Sequence, residues 1–284
     1  VKPIEWLSID AIVQSLTSLK TVNNTVAVII PTYNEKENIA DIIRAVLVLP
    51  VALHLLIVDD NSPDGTGDIV KSLQEEFEGR LFLEERAGKM GLGTAYIHGF
   101  KWALQRHYDF IFEMDADFSH PPKDLINLLN SCKNEKNDLT IGSRYITGVN
   151  VVNWPMSRVL LSFLASYYVR FITGLPISDT TAGFKCYRRE VLETIELDKV
   201  RFMGYAFQIE MKFLAWKYGF KLAEVPIIFT DRTRGTSKLS GNIIKEAVFG
   251  VLRIKINSLF RSYRRNTESA PNLVETNGLH RSNT

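Results

Sequence analysis

Short, unbroken apolar runs alternate with stretches of helical spacing through the first half of this chain. Residues 26–30 (Val-Ala-Val-Ile-Ile) have no polar position and close at Pro31. A run with no wet face predicts a strand covered on both sides. Residues 54–58, 80–84, 108–114 and 138–142 read as further strands, and helical spacing fills 39–49, 65–77, 93–105 and 122–133. Strand and helix alternate at βα spacing from 26 to 142. The prediction is an α/β fold, a mostly parallel sheet with helices on both faces.

Beyond residue 150 the pattern changes. Helices are predicted over 157–173 and 204–218, strands over 181–187 and 222–229, and a basic loop over 231–238. Residues 242–260 form a helix with Ile243, Ile244, Ala247, Val248, Val251, Leu252, Ile256, Leu259 and Phe260 on one broad stripe. Lys245, Arg253, Lys255, Arg261, Arg264 and Arg265 lie in or just beyond it. Two readings stay open: packing onto the sheet, or an interfacial helix drawn to anionic lipid. The expected organisation is a leader over 1–24, one domain over 25–241, the amphipathic helix over 242–261 and a polar, disordered tail over 262–284.

Composition narrows the classes. A formal charge of +2 over 284 residues gives no bulk electrostatic case for nucleic acid. Cys132 and Cys186 are far apart and form no Cys-x-x-Cys pair, so neither a zinc site nor a disulfide framework is expected and a reducing cytoplasm is the default. No basic-then-apolar leader opens the sequence, and no run approaches the ~20 apolar residues of a membrane span. Contact with a membrane is therefore expected at its surface.

The chemistry gathers at predicted strand ends, where open α/β sheets bind ligands. Asp115 and Asp117 follow the apolar run 108–114. Two acids so placed repel unless a cation lies between them, and hard divalent ions take such oxygen ligands. The pattern suits a diphosphate-bound Mg²⁺ or Mn²⁺; two solvated loop acids are the plainer alternative. Pro31-Thr32-Tyr33-Asn34-Glu35 ends the first strand, with Tyr33 a flat face for a base and Glu35 an acceptor, or else a plain strand-to-helix connector. Asp60 ends the second strand, where a carboxylate can take a ribose hydroxyl or base N–H, while Asp59 and Asp64 read as turn or capping acids. Lys89-Met90-Gly91-Leu92-Gly93 fits neither the dinucleotide nor the Walker pattern and reads as a tight turn before a helix, or as a helix start facing a phosphate. Arg144, Arg158 and Ser162 (one helical turn apart), Arg232, Arg234 and Lys238 supply cations in a number that suits several anionic groups meeting there. His120 sits close enough to the acids to ligate or to brace, and no Ser-His-Asp or His-Glu-x-x-His order is present.

These segments together resemble the polyprenyl- and dolichyl-phosphate mannose synthases, inverting family-2 glycosyltransferases of the GT-A (Rossmann-like) fold. The resemblance spans roughly residues 26–260. It rests on Val-Ile-Ile-Pro-Thr-Tyr-Asn-Glu (28–35), Val-Asp-Asp-Asn-Ser-Pro-Asp-Gly-Thr (58–66), Gly-Leu-Gly-Thr-Ala-Tyr-Ile-His-Gly (91–99) and Met-Asp-Ala-Asp-Phe-Ser-His-Pro-Pro (114–122). Ile-Gly-Ser-Arg-Tyr (141–145), Asp-Thr-Thr-Ala-Gly-Phe (179–184), Gly-Tyr-Ala-Phe-Gln-Ile-Glu-Met (204–211) and Ser-Lys-Leu-Ser-Gly (237–241) extend it, and Asn153-Trp154-Pro155 looks most like bacterial polyprenol monophosphomannose synthases.

The resemblance implies mannose transfer from GDP-mannose to a polyprenyl phosphate, giving polyprenyl-phosphate mannose and GDP, by an enzyme peripheral on the cytoplasmic membrane face. Pro31, Tyr33, Glu35, Val58 and Asp60 would hold the nucleotide. Asp115 and Asp117 would bind Mg²⁺ or Mn²⁺ on the diphosphate, with Ala116 lining the donor pocket. Some relatives carry Gln where this chain has Ser119, which would reach the ion through water. Arg144, Arg158 and Ser162 would take the acceptor phosphate, and Arg232 and Lys238 the donor. Asp117, Arg144 and Arg232 carry the catalytic expectation. A phosphate acceptor is already anionic, so no strong general base is required. One alternative is a UDP-glucose-dependent polyprenyl-phosphate glucosyltransferase on the same frame. Others are a sugar-nucleotide-binding protein without catalysis and a receiver-type signalling domain, whose paired acids also follow a strand.

Overall fold

The computed structural model describes residues 25–232, 234 and 242–264, with the backbone alone for Tyr205 and residues 242–247. The expected leader, Lys238 and nearly all of the expected tail lie outside the described residues.

The chain runs β1 (Val26–Thr32), α1 (Ile39–Leu47), β2 (His54–Asp59), α2 (Thr66–Glu76), β3 (Leu81–Glu85), α3 (Leu92–Gln105), β4 (Phe110–Glu113), α4 (Asp124–Lys133) and β5 (Leu139–Ser143). It continues with β6 (Val151–Val152), α5 (Met156–Thr173), β7 (Lys185–Arg188), α6 (Arg189–Thr194), a 3₁₀ turn (Leu197–Lys199), α7 (Tyr205–Lys217), β8 (Leu222–Pro226), β9 (Phe229–Thr230) and α8 (Asn242–Leu259). Seven strands form one sheet in the order β3-β2-β1-β4-β7-β5-β8, and β6 and β9 form a separate parallel pair. Within the large sheet β7 alone is antiparallel to its neighbours.

The middles of β1 and β2 are apolar because both faces are covered. Ala27 and Ile29 of β1 join one core with Leu56, Tyr96, Phe100, Phe207 and Met211. Val26, Val28 and Ile30 point the other way, into a core with Leu55, Ile57 and the helices on that face. In α1, Ile39, Ile42, Ile43, Val46 and Leu47 are buried, the i, i+3, i+4, i+7 stripe of a helix laid on a sheet.

Two elements depart from the sequence expectation. The strand expected over 181–187 begins only at Lys185. Asp179 is held by the backbone and guanidinium of Arg144, and Thr181 by the same guanidinium, so this segment is tied into a loop. The strand expected over 222–229 splits. β8 ends at Pro226, the Ile227 amide still donates to Ser143, and β9 leaves to pair with β6. A proline supplies no ladder donor, so the sheet edge ends there.

The close seat of α3 on β1 depends on a glycine. A Cβ at Gly99 would stand 2.6 Å from Ile29 Cγ2, in the middle of the core. We predict that Gly99→Ala lowers unfolding stability by roughly 1–3 kcal/mol through overpacking, read from the urea midpoint. Adding Ile29→Val, which removes a methyl at the clash, restores part of the loss; a double variant no more stable than Gly99→Ala alone contradicts this packing account.

Candidate active site

A cavity of about 650 Å³ opens over the carboxyl ends of the strands. Pro31, Tyr33, Glu35, Asp60, Asp115, Ala116, Asp117, Ser119, Arg144, Arg158 and Arg232 all line it. Sheet geometry explains the convergence: β1, β2, β4 and β5 are parallel, so residues following each strand meet at one edge.

The acidic pair sits at the end of β4 in a loop of unusual backbone. Phe118 takes a φ of 62°, a left-handed conformation uncommon for a bulky residue. This bend turns Ser119 back, so its amide and hydroxyl both donate to Asp117 Oδ1, at 3.1 and 2.6 Å. Burial opposes the charge on Asp117, but the Ser119 donors and Arg232 hold its carboxyl below the usual range. Asp115 shifts the other way: burial raises it, and the neighbouring Asp117 charge adds to the rise. Repulsion between the two acids is thus built into the loop. His120 braces it from beneath. Its Nδ1 accepts the Asp115 amide at 3.0 Å, its ring stacks on Phe184, and burial pushes its imidazole pKa down.

Arg232 answers the acids from the opposite wall. Its guanidinium lies 2.7 Å from Asp117 Oδ2 and 4.0 Å from Glu35 Oε1. Among the described residues no cluster of three or more His, Cys, Asp or Glu could hold a metal alone. Asp115 and Asp117 fit an ion that arrives with further oxygen ligands, such as those of a diphosphate.

At one end, Tyr33 and Asp60 face the cavity. Lys89 Nζ lies 4.7 Å over the Tyr33 ring, which explains what the loop before α3 does there. Arg86, which the sequence reading did not single out, donates from Nε to Asp60 Oδ1 at 2.6 Å and from NH1 to Thr94 at 2.9 Å. It fixes the carboxylate and ties it to the first turn of α3. Asp59 bonds Ser62 and Thr32, and Asp64 bonds Thr66, so both are turn acids as expected.

At the other end, Arg144 and Arg158 share the face of Trp154, with guanidinium carbons 5.4 and 4.2 Å from its ring. Neither is an unmatched cation. Arg144 makes a bidentate pair with the fully buried Asp179, both contacts at 2.6 Å, and Arg158 NH1 lies 2.8 Å from Asp231. Arg144, expected to take the acceptor phosphate, lines the cavity and is also a buried partner of Asp179.

Other expectations need correction. The Val58 side chain is wholly buried in the core, so any nucleotide contact there uses its backbone. Ser119 is buried and gives its hydroxyl to Asp117, so it orients that carboxylate. Ser162 shares the α5 face of Arg158 but is absent from the cavity lining. Arg234 turns away, pairing with Asp41 at 2.9 Å. Trp154, Gln208, Phe229 and Asp231 line the cavity and were not assigned roles from the sequence. The end of the strand expected over 222–229 could have pointed to Phe229 and Asp231, while Trp154 and Gln208 adjoin no expected strand end.

Comparison with known proteins agrees with this geometry. A model of "Glycosyl transferase family 2" matches residues 27–196. The chain belongs to glycosyl transferase family 2. Among curated relatives, the polyprenol monophosphomannose synthase of Mycolicibacterium smegmatis is 49% identical over 224 residues, 79% of this chain and 84% of that protein. The undecaprenyl-phosphate mannosyltransferase of Micrococcus luteus is 44% identical over 228 residues, 80% of this chain and 93% of that one. Among solved structures, glucosyl-3-phosphoglycerate synthase from Mycobacterium tuberculosis, in complex with Mn²⁺, UDP-glucose and phosphoglyceric acid, superposes with a TM-score of 0.60. That match is 15% identical and covers 89% of this chain and 85% of that one, a likeness of fold. The receiver-type alternative falls with the family assignment, and this family-2 glycosyltransferase has the α/β architecture expected of it.

The two arginine pairs at the Trp154 end differ in depth, which yields a test. Asp179→Ala leaves Arg144 buried without its counter-charge and is expected to cost about 3–5 kcal/mol. Asp231→Ala breaks a part-exposed pair and is expected to cost under about 1 kcal/mol. Chemical denaturation of both variants checks the order; equal losses would mean that Arg144 is not held as described.

Proposed function

We propose that this chain transfers mannose from GDP-mannose to a polyprenyl phosphate, with inversion, giving polyprenyl-phosphate mannose and GDP. The observation that carries the reading is the convergence of the Asp115–Asp117 pair and Arg144, Arg158 and Arg232 in one cavity. The names of the relatives in M. smegmatis and M. luteus support polyprenyl phosphate and mannose. GDP as the donor nucleotide follows the family resemblance carried by the sequence.

Tyr33, Glu35 and Asp60 hold the nucleoside end of the donor, with Arg86 keeping Asp60 in place. Asp115 and Asp117 hold Mg²⁺ or Mn²⁺ together with the diphosphate; when bound, the ion supplies charge neutralisation for the leaving group. Arg232 stands beside Asp117, where it can exchange a carboxylate for a phosphate oxygen. Arg158, flat on Trp154, offers the acceptor phosphate a guanidinium on the far side of the cavity. A phosphate oxygen attacks the sugar C1, the bond from C1 to the β-phosphate oxygen breaks, and the electron pair leaves with GDP. No proton needs removing from the nucleophile, so this step asks for no general base. The work is alignment and charge stabilisation.

The lipid acceptor also needs an approach. α5, α7 and α8 pack together through Val169, Ile209, Phe213, Val251 and Ile254. Met156, Leu160, Leu161, Phe163, Leu164, Tyr167 and Phe171, with Phe249, Ile256, Leu259 and Phe260, are half exposed or more. The C-terminal helix thus packs on two helices rather than on the sheet, and apolar side chains on it stay uncovered. No described helix is long and apolar enough to cross a membrane. We assign this apolar surface, flanked by Arg170, Arg253, Lys255 and Arg261, to a lipid bilayer carrying the acceptor, at its cytoplasmic face.

With Mg²⁺ or Mn²⁺, the protein is expected to move labelled mannose from GDP-mannose into an organic-extractable lipid. Asp117→Ala abolishes that transfer, and Arg158→Ala lowers kcat/KM for the lipid by about 1.5–3 kcal/mol, roughly 10- to 150-fold. Activity with UDP-glucose and none with GDP-mannose would instead favour the glucosyl reading. For the membrane, the protein is expected to sediment with anionic vesicles, and the pair Leu160→Glu with Phe249→Glu to release it. Sedimentation unchanged by both substitutions would move the lipid surface elsewhere.

A further inference from the structure

The segment Gly-Tyr-Ala-Phe-Gln-Ile-Glu-Met (204–211) has so far been given no task, yet its Gln208 lines the cavity. Gln208 is 3% exposed and lies in the first turn of α7. Its amide oxygen accepts from Lys185 Nζ, which is itself paired with Glu113 Oε2 at 3.0 Å; all three side chains are buried. An ammonium can only donate, so the carboxamide oxygen must face Lys185 and the NH₂ must face away. That NH₂ has no hydrogen-bond partner among the described residues. A buried donor left unpaired costs free energy comparable to a lost hydrogen bond, so its persistence calls for a partner.

The direction it faces is defined by the next residues. Gly183 and His120 both line the cavity, and a Cβ built on Gly183 would sit 3.6 Å from Gln208 Nε2 and 3.4 Å from His120 Cε1. The Gln208 Nε2 atom is itself buried, and glycine at 183 keeps a further side chain from standing between it and the cavity. The N-terminus of α7 opens on the same wall through Met203 and Gly204, so the helix dipole adds positive potential there.

We propose that Gln208 is a substrate-positioning residue whose Nε2–H donates to an oxygen of the reacting ligands, with Lys185 and Glu113 fixing its orientation. The proposal rests on the glycosyltransfer reading. The oxygen belongs either to a hydroxyl of the donor sugar or to the acceptor phosphate, and both are acceptors of the same kind.

Gln208→Glu separates function from structure, because it keeps an oxygen toward Lys185 and replaces the donor with an acceptor. Gln208→Met, similar in size and apolar, is the second variant. Binding of GDP-mannose, UDP-glucose, GDP, UDP and farnesyl phosphate is followed by calorimetry, beside turnover and the melting temperature. The expected result is a loss of at least tenfold in one arm with melting changed by only a few degrees. If the sugar is the partner, affinity falls for the sugar nucleotide and not for the bare nucleotide. If the phosphate is the partner, affinity for farnesyl phosphate falls and donor affinity holds. A purely structural role would lower the melting temperature and the active fraction while leaving every constant within twofold; that outcome, or no change at all, overturns the proposal. A wild type that binds these ligands without turnover counts against the mannosyl-transfer reading, while the binding arms still decide the role of Gln208.

Discussion

Asp117 and Arg232 face each other at 2.7 Å across the mouth of the sheet, and much of the site depends on that attraction. Two carboxylates a residue apart cannot both remain charged in a half-buried cleft without a counter-charge. Here the loop itself supplies part of it, through the left-handed Phe118 and the donors of Ser119, and Arg232 supplies the rest. The same pattern repeats around the cavity. Asp60 has Arg86, Asp179 has Arg144, and Asp231 has Arg158. A protein that binds polyanions has to keep its cations in place before those anions arrive, and carboxylates on the far side of each guanidinium do so. The cost is that an incoming phosphate competes with a carboxylate for some of these contacts, which favours ligands bringing both negative charge and a compensating cation.

The sheet makes this possible through β7. Placed antiparallel between β4 and β5, it carries Lys185 directly beside Glu113, and these two buried charges underlie the cavity floor. Burial lowers the pKa of Lys185, and the Glu113 carboxylate opposes that fall. A buried pair of this kind gives little net stability, but it fixes the orientation of whatever it touches. Gln208 is what it touches.

Much of the architecture was legible from residue order. The apolar runs that became β1 and β2, and the largely apolar one that became β4, fit strands with two covered faces, and their ends placed Tyr33, Asp60, Asp115 and Asp117 at the cavity. The strand expected near residue 181 began too early, because Asp179 and Thr181, just before β7, are held in a loop by long-range bonds from Arg144. The fate of each arginine was equally hidden. Sequence spacing shows that Arg144 and Arg158 are cations, but not that Asp179 and Asp231, distant in the chain, already match them. Arg86 and Gln208 were missed for the same reason: their meaning lies in partners 26 and 23 residues away. The apolar side chains of α5 lacked a helical stripe clean enough to declare a surface, since nearly the whole helix is apolar and only packing against α7 and α8 decides which side stays bare.

The account holds that the acidic pair is incomplete as a metal site until a nucleoside diphosphate supplies the remaining oxygens and draws Arg232 from Asp117. Titration of Mn²⁺ followed by electron paramagnetic resonance, with and without GDP, measures this directly. The account predicts weak Mn²⁺ binding alone and at least tenfold tighter binding with GDP present, with GDP affinity raised by the same factor in Mn²⁺. Equal Mn²⁺ affinity in the two titrations would contradict it.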